Sequence, residues 1–132
     1  MERLDEVVRT FREMLPGAHA VYLFGSRARG ECGEHSDYDL AVLADRPIDE
    51  LRRWELQETL SGLLRADVDL VDLCAASTVM RAQVLASARL LLDEDPAARE
   101  LFEATALSTY ARLNEERRGI LEDVRARGTV YG

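Results

Sequence analysis

The sequence contains no lysine, since each of its 17 basic residues is an arginine. This absence excludes enzymes that attack through a lysine amine, such as those that form a lysyl–nucleotide intermediate or a Schiff base. It also excludes the Walker A phosphate-binding loop, whose lysine contacts the nucleotide phosphates. Recognition of phosphate by a permanently charged side chain therefore falls to arginine.

Cysteine is scarce as well, and Cys32 and Cys74 are the only two in 132 residues. They form no CxxC pair and no zinc-type cluster with His19 or His35. We therefore interpret both cysteines as ordinary reduced residues.

Long apolar runs are also missing. No run approaches the roughly 18 residues that a membrane span needs, and the charged residues 1–6 lack the apolar stretch of a secretory signal. We therefore expect a cytoplasmic protein with no membrane association. The net charge of −8 disfavours stable, non-specific binding to nucleic acid, which depends on cations that neutralise phosphates. It leaves room for a basic protein partner.

The 132 residues, 47% of them hydrophobic, predict one domain over residues 1–132. Apolar spacing and breaker residues predict helices over 4–15, 27–30, 49–64 and 79–88, and strands over 18–24, 37–43, 67–73 and 89–92. Asp95 and Pro96 predict the start of a long helix over about 96–127, because proline suits the first turn of a helix. This alternation favours an α/β fold.

The long last helix carries an apolar stripe that has two interpretations. The stripe is made of Phe102, Ala106, Tyr110, Leu113, Ile120 and Val124. It packs onto the domain, or part of it stays exposed for another protein. Periodicity alone does not distinguish the two.

A small-residue turn, Gly25-Ser26, follows the strand predicted over 18–24. Because Gly25 lacks a Cβ, a phosphate chain can approach its backbone. Ser26 adds a hydroxyl donor, and a helix starting there would present N–H groups toward an anion. Many turns use Gly-Ser, so this feature needs support from elsewhere in the chain.

Two acids on the next predicted strand give that support. Asp37 and Asp39 share one face of the strand, roughly 7 Å apart along the backbone, and Tyr38 points to the opposite face and into the core. Carboxylate oxygens together with bound phosphates suit Mg²⁺.

Candidates for a third acid are Asp67, Asp69 and Asp72. Asp69 is central in its predicted strand. If that strand lies beside the Asp37–Asp39 strand, Asp69 can face the pair and bind a second ion or accept a proton from an attacking hydroxyl.

Residues 25–30 (GSRARG) and 36–40 (SDYDL) together resemble the GSxARG…SDxDL signature of minimal nucleotidyltransferases, in the DNA polymerase β-like superfamily. Residues 68–71 look like the third-carboxylate strand of that family. The chain length and the tail over 110–128 are similar to the MntA antitoxins, which are paired with HepT toxins of the HEPN ribonuclease class. The resemblance implies a polymerase β-like fold, with a small mixed sheet flanked by helices and a long C-terminal helix.

The resemblance also implies an activity: transfer of AMP from ATP to a tyrosine hydroxyl of the cognate toxin. By position, Gly25 and Ser26 would hold the triphosphate. Asp37 and Asp39 would bind Mg²⁺, and Asp69 would complete this acidic triad of metal ligands and help to deprotonate the tyrosine. A cognate HepT-like toxin and ATP are the expected partners, in a hetero-oligomer.

The two arginines of the turn are open to two interpretations. Arg29, and with less support Arg27, is a candidate for phosphate contact through its guanidinium. The alternative is a solvated helix arginine, or one paired with Glu31 or Glu34. We interpret the nearby His35 as a surface residue.

Two rival functions are compatible with the sequence. The acceptor could instead be a small molecule or an RNA 3′ end, although the short chain leaves little room for a further substrate-binding domain. The chain could also neutralise a partner by binding alone, although a pure binder has no need of acids in this arrangement.

Overall fold

Strands and helices alternate along the chain as predicted. The structure, a computed structural model, describes residues 2–30 and 37–126. Its elements are α1 (Glu2–Met14), β1 (Ala18–Phe24), α2 (Gly25–Arg29), β2 (Tyr38–Ala44), α3 (Glu50–Leu64), β3 (Val68–Asp72), α4 (Thr78–Ser87), β4 (Arg89–Asp93) and α5 (Pro96–Ala126). Predicted boundaries agree to within two residues, and Asp37 precedes its strand instead of beginning it.

The four strands form one mixed sheet in the order β3-β2-β1-β4. β1 pairs antiparallel with both β2 and β4, whereas β2 and β3 are parallel. This arrangement, with helices packed on the sheet, confirms the predicted fold class.

Each face of the sheet has its own core cluster. On one face, Leu40 and Val42 of β2 pack with buried residues of α1 and α3, including Phe11 and Leu60. On the other face, the cluster contains Ala41 and Leu43 of β2, Tyr22 of β1 and Val84 of α4, with Phe102 of α5 against it. The alternation along β2 places Asp39 on the α4–α5 face, because side chains two apart in a strand share a face.

The first turns of α5 are fastened to the sheet by a polar network. The Tyr22 hydroxyl donates to Glu103 (2.8 Å), and Arg99 donates to Glu103 (3.1 Å) and Asp93 (2.9 Å). Phe102 and Ala106 pack in this part of the helix. This end of the stripe therefore packs onto the domain, as the first of the two interpretations proposed.

The far end of α5 differs. Its 31 residues make the helix about 46 Å long at 1.5 Å per residue. Ile120 is 64% exposed and Leu121 57% exposed. The stripe is therefore solvent-exposed at Ile120, and its use as a partner-binding surface stays a prediction. No helix within 2–30 or 37–126 combines the length and apolar character needed to cross a membrane.

Cys74 carries a free thiol, as interpreted from the sequence. Its S–H donates to the carbonyl oxygen of Ala44 at 3.2 Å. Burial raises the pKa of this thiol, which favours the protonated, unreactive form. Cys32 lies outside the described residues.

Candidate active site

The turn and the predicted third acid meet at one end of the sheet. Asp39 pairs with Phe24, the last residue of β1, on one side and with Asp69 of β3 on the other. Adjacent strands lie about 4.8 Å apart, so Asp69 lies next to Asp39 on the neighbouring strand. These two acids, with Asp37 just before β2, are called the acidic row below. Gly25 follows Phe24 directly in the chain and therefore lies at the same end of the sheet. The condition set for Asp69, that its strand lies beside β2, is met.

Gly25 is the point of closest approach between the turn and the acids. A Cβ built on it would lie against Oδ2 of Asp39, closer than real Cβ atoms come to a neighbour, and 3.1 Å from Cγ. Its φ of +73° is also one that side-chain-bearing residues rarely adopt. Both constraints require glycine here, for reasons that concern the protein itself as well as any ligand.

The Asp39 carboxyl group is perturbed by its surroundings. Its pKa is raised, first by burial and then by the negative charges of Asp69 and Asp37, while the positive charge of Arg29 opposes the rise. The charges of Asp69, Asp37 and Arg29 thus act on the Asp39 carboxylate. Three carboxylates with one nearby guanidinium leave an excess of negative charge that a bound cation would relieve.

The carboxylates of this site fit a Mg²⁺ ion whose remaining ligands come from a nucleotide. Within residues 2–30 and 37–126, no three acidic, histidine or cysteine side chains converge into a ready-made metal cage. Mg²⁺ is usually held by one or two carboxylates together with waters and substrate phosphates, not by an all-protein cage. Asp39, with Asp69 beside it and Asp37 just before the strand, supplies hard oxygen ligands of this kind.

The short helix α2 begins at Gly25, two residues earlier than predicted, so that the strand passes into the helix without a loop. The Gly25 N–H donates to Oγ of Ser87, the last residue of α4, at 3.4 Å. At the other end, Gly30 (φ +74°) caps the helix through the carbonyls of Ser26 and Arg27. Ser87 was not predicted, because 62 residues separate it from the turn and no local pattern marks it.

The two arginines of α2 have different surroundings. The Arg27 guanidinium lies 3.7 Å from the centre of the Tyr38 ring, and its Nε donates to the carbonyl of Asp37 at 3.3 Å. Arg27 thus ties α2 to the start of β2. Arg29 is exposed, and its charge acts on Asp39, which favours Arg29 of the two as a phosphate contact.

The other third-acid candidates have different surroundings. Asp72 is buried, and its carboxylate accepts from the N–H groups of Ile48 (2.8 Å) and Cys74 (3.0 Å), so it organises the two loops that contain those residues. Asp67 is exposed and precedes β3. The residues Glu31, Glu34, His35 and Ser36 lie outside the described part of the chain.

Comparison with known proteins gives the same assignment for sequence and fold. A family model described as "Polymerase beta, Nucleotidyltransferase" matches residues 6–97. The chain is 40% identical to the protein adenylyltransferase MntA of Shewanella oneidensis over 130 residues, which covers 96% of this chain and 91% of the relative.

Solved structures agree with this match. A chain in a crystal structure of a toxin–antitoxin pair with AMP-PNP superposes with a TM-score of 0.82 at 38% identity, covering 92% of this chain and 98% of that one. Another match comes from a complex of a tri-AMPylated Shewanella oneidensis HEPN toxin with its MNT antitoxin. It has a TM-score of 0.77 at 36% identity, covering 94% of this chain and 97% of that one.

Proposed function

Since this chain belongs to the polymerase β nucleotidyltransferase family, and within it to the MntA protein adenylyltransferases, we propose that it transfers AMP from ATP to a tyrosine hydroxyl of a HEPN-class toxin. The transfer neutralises the toxin. The observation that carries the proposal is the close approach of Gly25 to Asp39, which pairs with Asp69 on the neighbouring strand. The related structures with AMP-PNP and with an AMPylated HEPN toxin support the donor and the acceptor.

In the proposed reaction, the Gly25-Ser26 turn receives the triphosphate, with backbone N–H groups of α2 and the Arg29 guanidinium toward the phosphates. Mg²⁺ on Asp37, Asp39 and Asp69 would neutralise the charge of those phosphates. The tyrosine oxygen attacks the α-phosphorus, its proton passes to the Asp69 carboxylate, and the bond to the β-phosphate breaks to release pyrophosphate. Positioning of the two reactants supplies much of the acceleration.

The proposal is tested by incubating the chain with ATP labelled at the α-phosphate, Mg²⁺ and the protein encoded by the neighbouring gene. We expect label on a tyrosine of that protein, located by peptide mass spectrometry, and loss of its RNA cleavage. If inhibition persists when Asp37→Asn and Asp39→Asn are combined, neutralisation occurs by binding alone. Label on an added small molecule or RNA 3′ end, with none on protein, would instead identify the rival acceptors.

The exposed end of α5 is the proposed docking element for the toxin. It extends beyond the part of the helix that is fastened to the sheet, and it presents Ile120 and Leu121 to solvent. We expect the double variant Ile120→Ser, Leu121→Ser to weaken toxin binding at least tenfold, because burying one such side chain is worth about 1.5–3 kcal/mol. The affinity is measured by calorimetry and the thermal midpoint by circular dichroism.

A matched control for this docking prediction lies on α3. Leu51 is 61% exposed, so Leu51→Ser removes one exposed leucine far from α5 in the sequence and is matched by the single α5 variant Leu121→Ser. We expect Leu51→Ser to bind the toxin with unchanged affinity. Equal loss of affinity in both variants, or a fall in the thermal midpoint of the α5 variant, would argue against docking at α5.

A further inference from the structure

The strand that carries Asp69 lies at the edge of the sheet. β3 is five residues long and has β2 as its neighbour. An edge strand leaves every second pair of backbone N–H and C=O groups without a strand partner. Asp69 is itself solvent-exposed, so the location of its carboxylate depends chiefly on where its backbone is held.

Two side chains of α3 take the place of a neighbouring strand at Leu70. The Leu70 N–H donates to Oε1 of Gln57 at 3.0 Å, and the Leu70 carbonyl accepts from Nη1 of Arg53 at 3.2 Å. The same Arg53 nitrogen donates to Gln57 at 3.4 Å, and its other terminal nitrogen binds Glu50 at 3.1 Å. The result is one connected clamp on both outward-facing groups of the residue next to Asp69.

The direction of these bonds links the clamp to the acidic row. Backbone polar groups of successive strand residues point to opposite edges, so the outward bonds of Leu70 imply that the Asp69 N–H and C=O face β2. The pairing of Asp39 with Asp69 in the parallel register agrees with this. Loss of the outward bonds would leave β3 held from one side only.

We propose that Gln57 and Arg53 are positioning residues that hold Asp69 beside Asp39, an inference that rests on the proposed function of Asp69 in AMP transfer. They act through the backbone of β3, at the N–H and C=O groups of Leu70. Their spacing of four residues places both on one face of α3, and α3 itself is anchored by Leu56 and Leu60 in the core.

The test compares two substitutions of similar size. Gln57→Met removes the acceptor, and Gln57→Glu keeps an oxygen for the Leu70 N–H. In the AMP-transfer assay with the toxin as acceptor, we expect Gln57→Met to lower kcat about tenfold and to change KM for ATP by less than about twofold. Gln57→Glu should keep kcat close to that of the unsubstituted protein. Arg53→Met and Arg53→Lys form an independent pair, expected to lose and to keep activity respectively.

Two further readouts separate positioning from general stability and from failure of the proposed function. Amide exchange at Leu70 should accelerate in Gln57→Met while the exchange of α1 stays unchanged. In an Asp69→Asn background, Gln57→Met should cause no additional loss of kcat. An additional tenfold loss there, or an unchanged kcat with intact Asp69, would overturn the positioning role. Full activity of Asp69→Asn alone would instead remove the function of Asp69, whatever the exchange at Leu70 shows.

Discussion

Replacing Asp39 with asparagine will lower the rate of AMP transfer roughly 10³-fold, because charge stabilisation by a correctly held metal ion is worth several kcal/mol of the barrier. The asparagine side chain keeps the shape of the aspartate but lacks its negative charge. Asp39 is central to the acidic row, paired with Asp69 across the strands and contacted by the Gly25 turn. The measurement is single-turnover transfer from labelled ATP to the HEPN-class protein.

The same substitution will leave the thermal midpoint unchanged or higher. The pKa of Asp39 is raised in the folded protein by burial and by Asp69 and Asp37, so its ionised form is less favourable there than in the unfolded chain. The ionised carboxylate therefore contributes an unfavourable amount to folding that is absent below its unfolded pKa and fully present above its folded pKa. At pH 7 a neutral residue removes that contribution.

The control for this pair of effects is Asp67→Asn. Asp67 is an exposed acid of the same type, two residues from Asp69, that precedes β3. We expect near wild-type transfer from it. Retention of more than a tenth of the activity by Asp39→Asn would contradict the assigned role. So would a fall in its thermal midpoint large enough to explain the lost activity.

The sequence predicted the helices, the strands and the end of the sheet where the acids lie, because those features are encoded locally. Alternation along residues 37–43 placed Asp39 and Tyr38 on opposite faces, and the structure agrees, with Tyr38 half-buried against the α1–α3 core. The Asp95-Pro96 pair marked the start of α5. The choice of Asp69 over Asp67 rested on the family resemblance as well as on strand parity, because both acids fall on the same predicted face of the strand.

The contacts that organise this end of the sheet could not be predicted in the same way. The packing of α4 and α3 on the sheet places Ser87 at the Gly25 N–H and Gln57 at the Leu70 N–H. The partners are 62 and 13 residues apart in the sequence, and no spacing pattern predicts these hydrogen bonds. The surroundings of Arg27 depend equally on three-dimensional geometry. The sequence allowed a phosphate contact for the Arg27 guanidinium. Its position over the Tyr38 ring depends on where β2 lies relative to α2, which the sequence does not specify.

Replacing Gly25 with alanine will impair both transfer and stability. The added Cβ meets Oδ2 and Cγ of Asp39, so the carboxylate must move from its place beside Asp69. A displacement of about 1 Å at a reacting centre can cost on the order of 10²-fold in rate. The φ of +73° adds a backbone strain of roughly 1–2 kcal/mol for a residue with a Cβ. Transfer rate and denaturant unfolding are measured on the same preparation.

Gly30 makes it possible to separate these two causes. Its φ of +74° is close to that of Gly25, and a Cβ there would meet no atom of residues 2–30 and 37–126 within 4 Å. Gly30→Ala therefore carries the backbone strain without the contact, and we expect a similar loss of unfolding free energy with transfer close to wild type. The rate difference between the two variants then measures the displacement of Asp39 alone. If both variants lose transfer equally, strain in α2 explains the effect. In that case the close approach of Gly25 to Asp39 is not what the reaction requires.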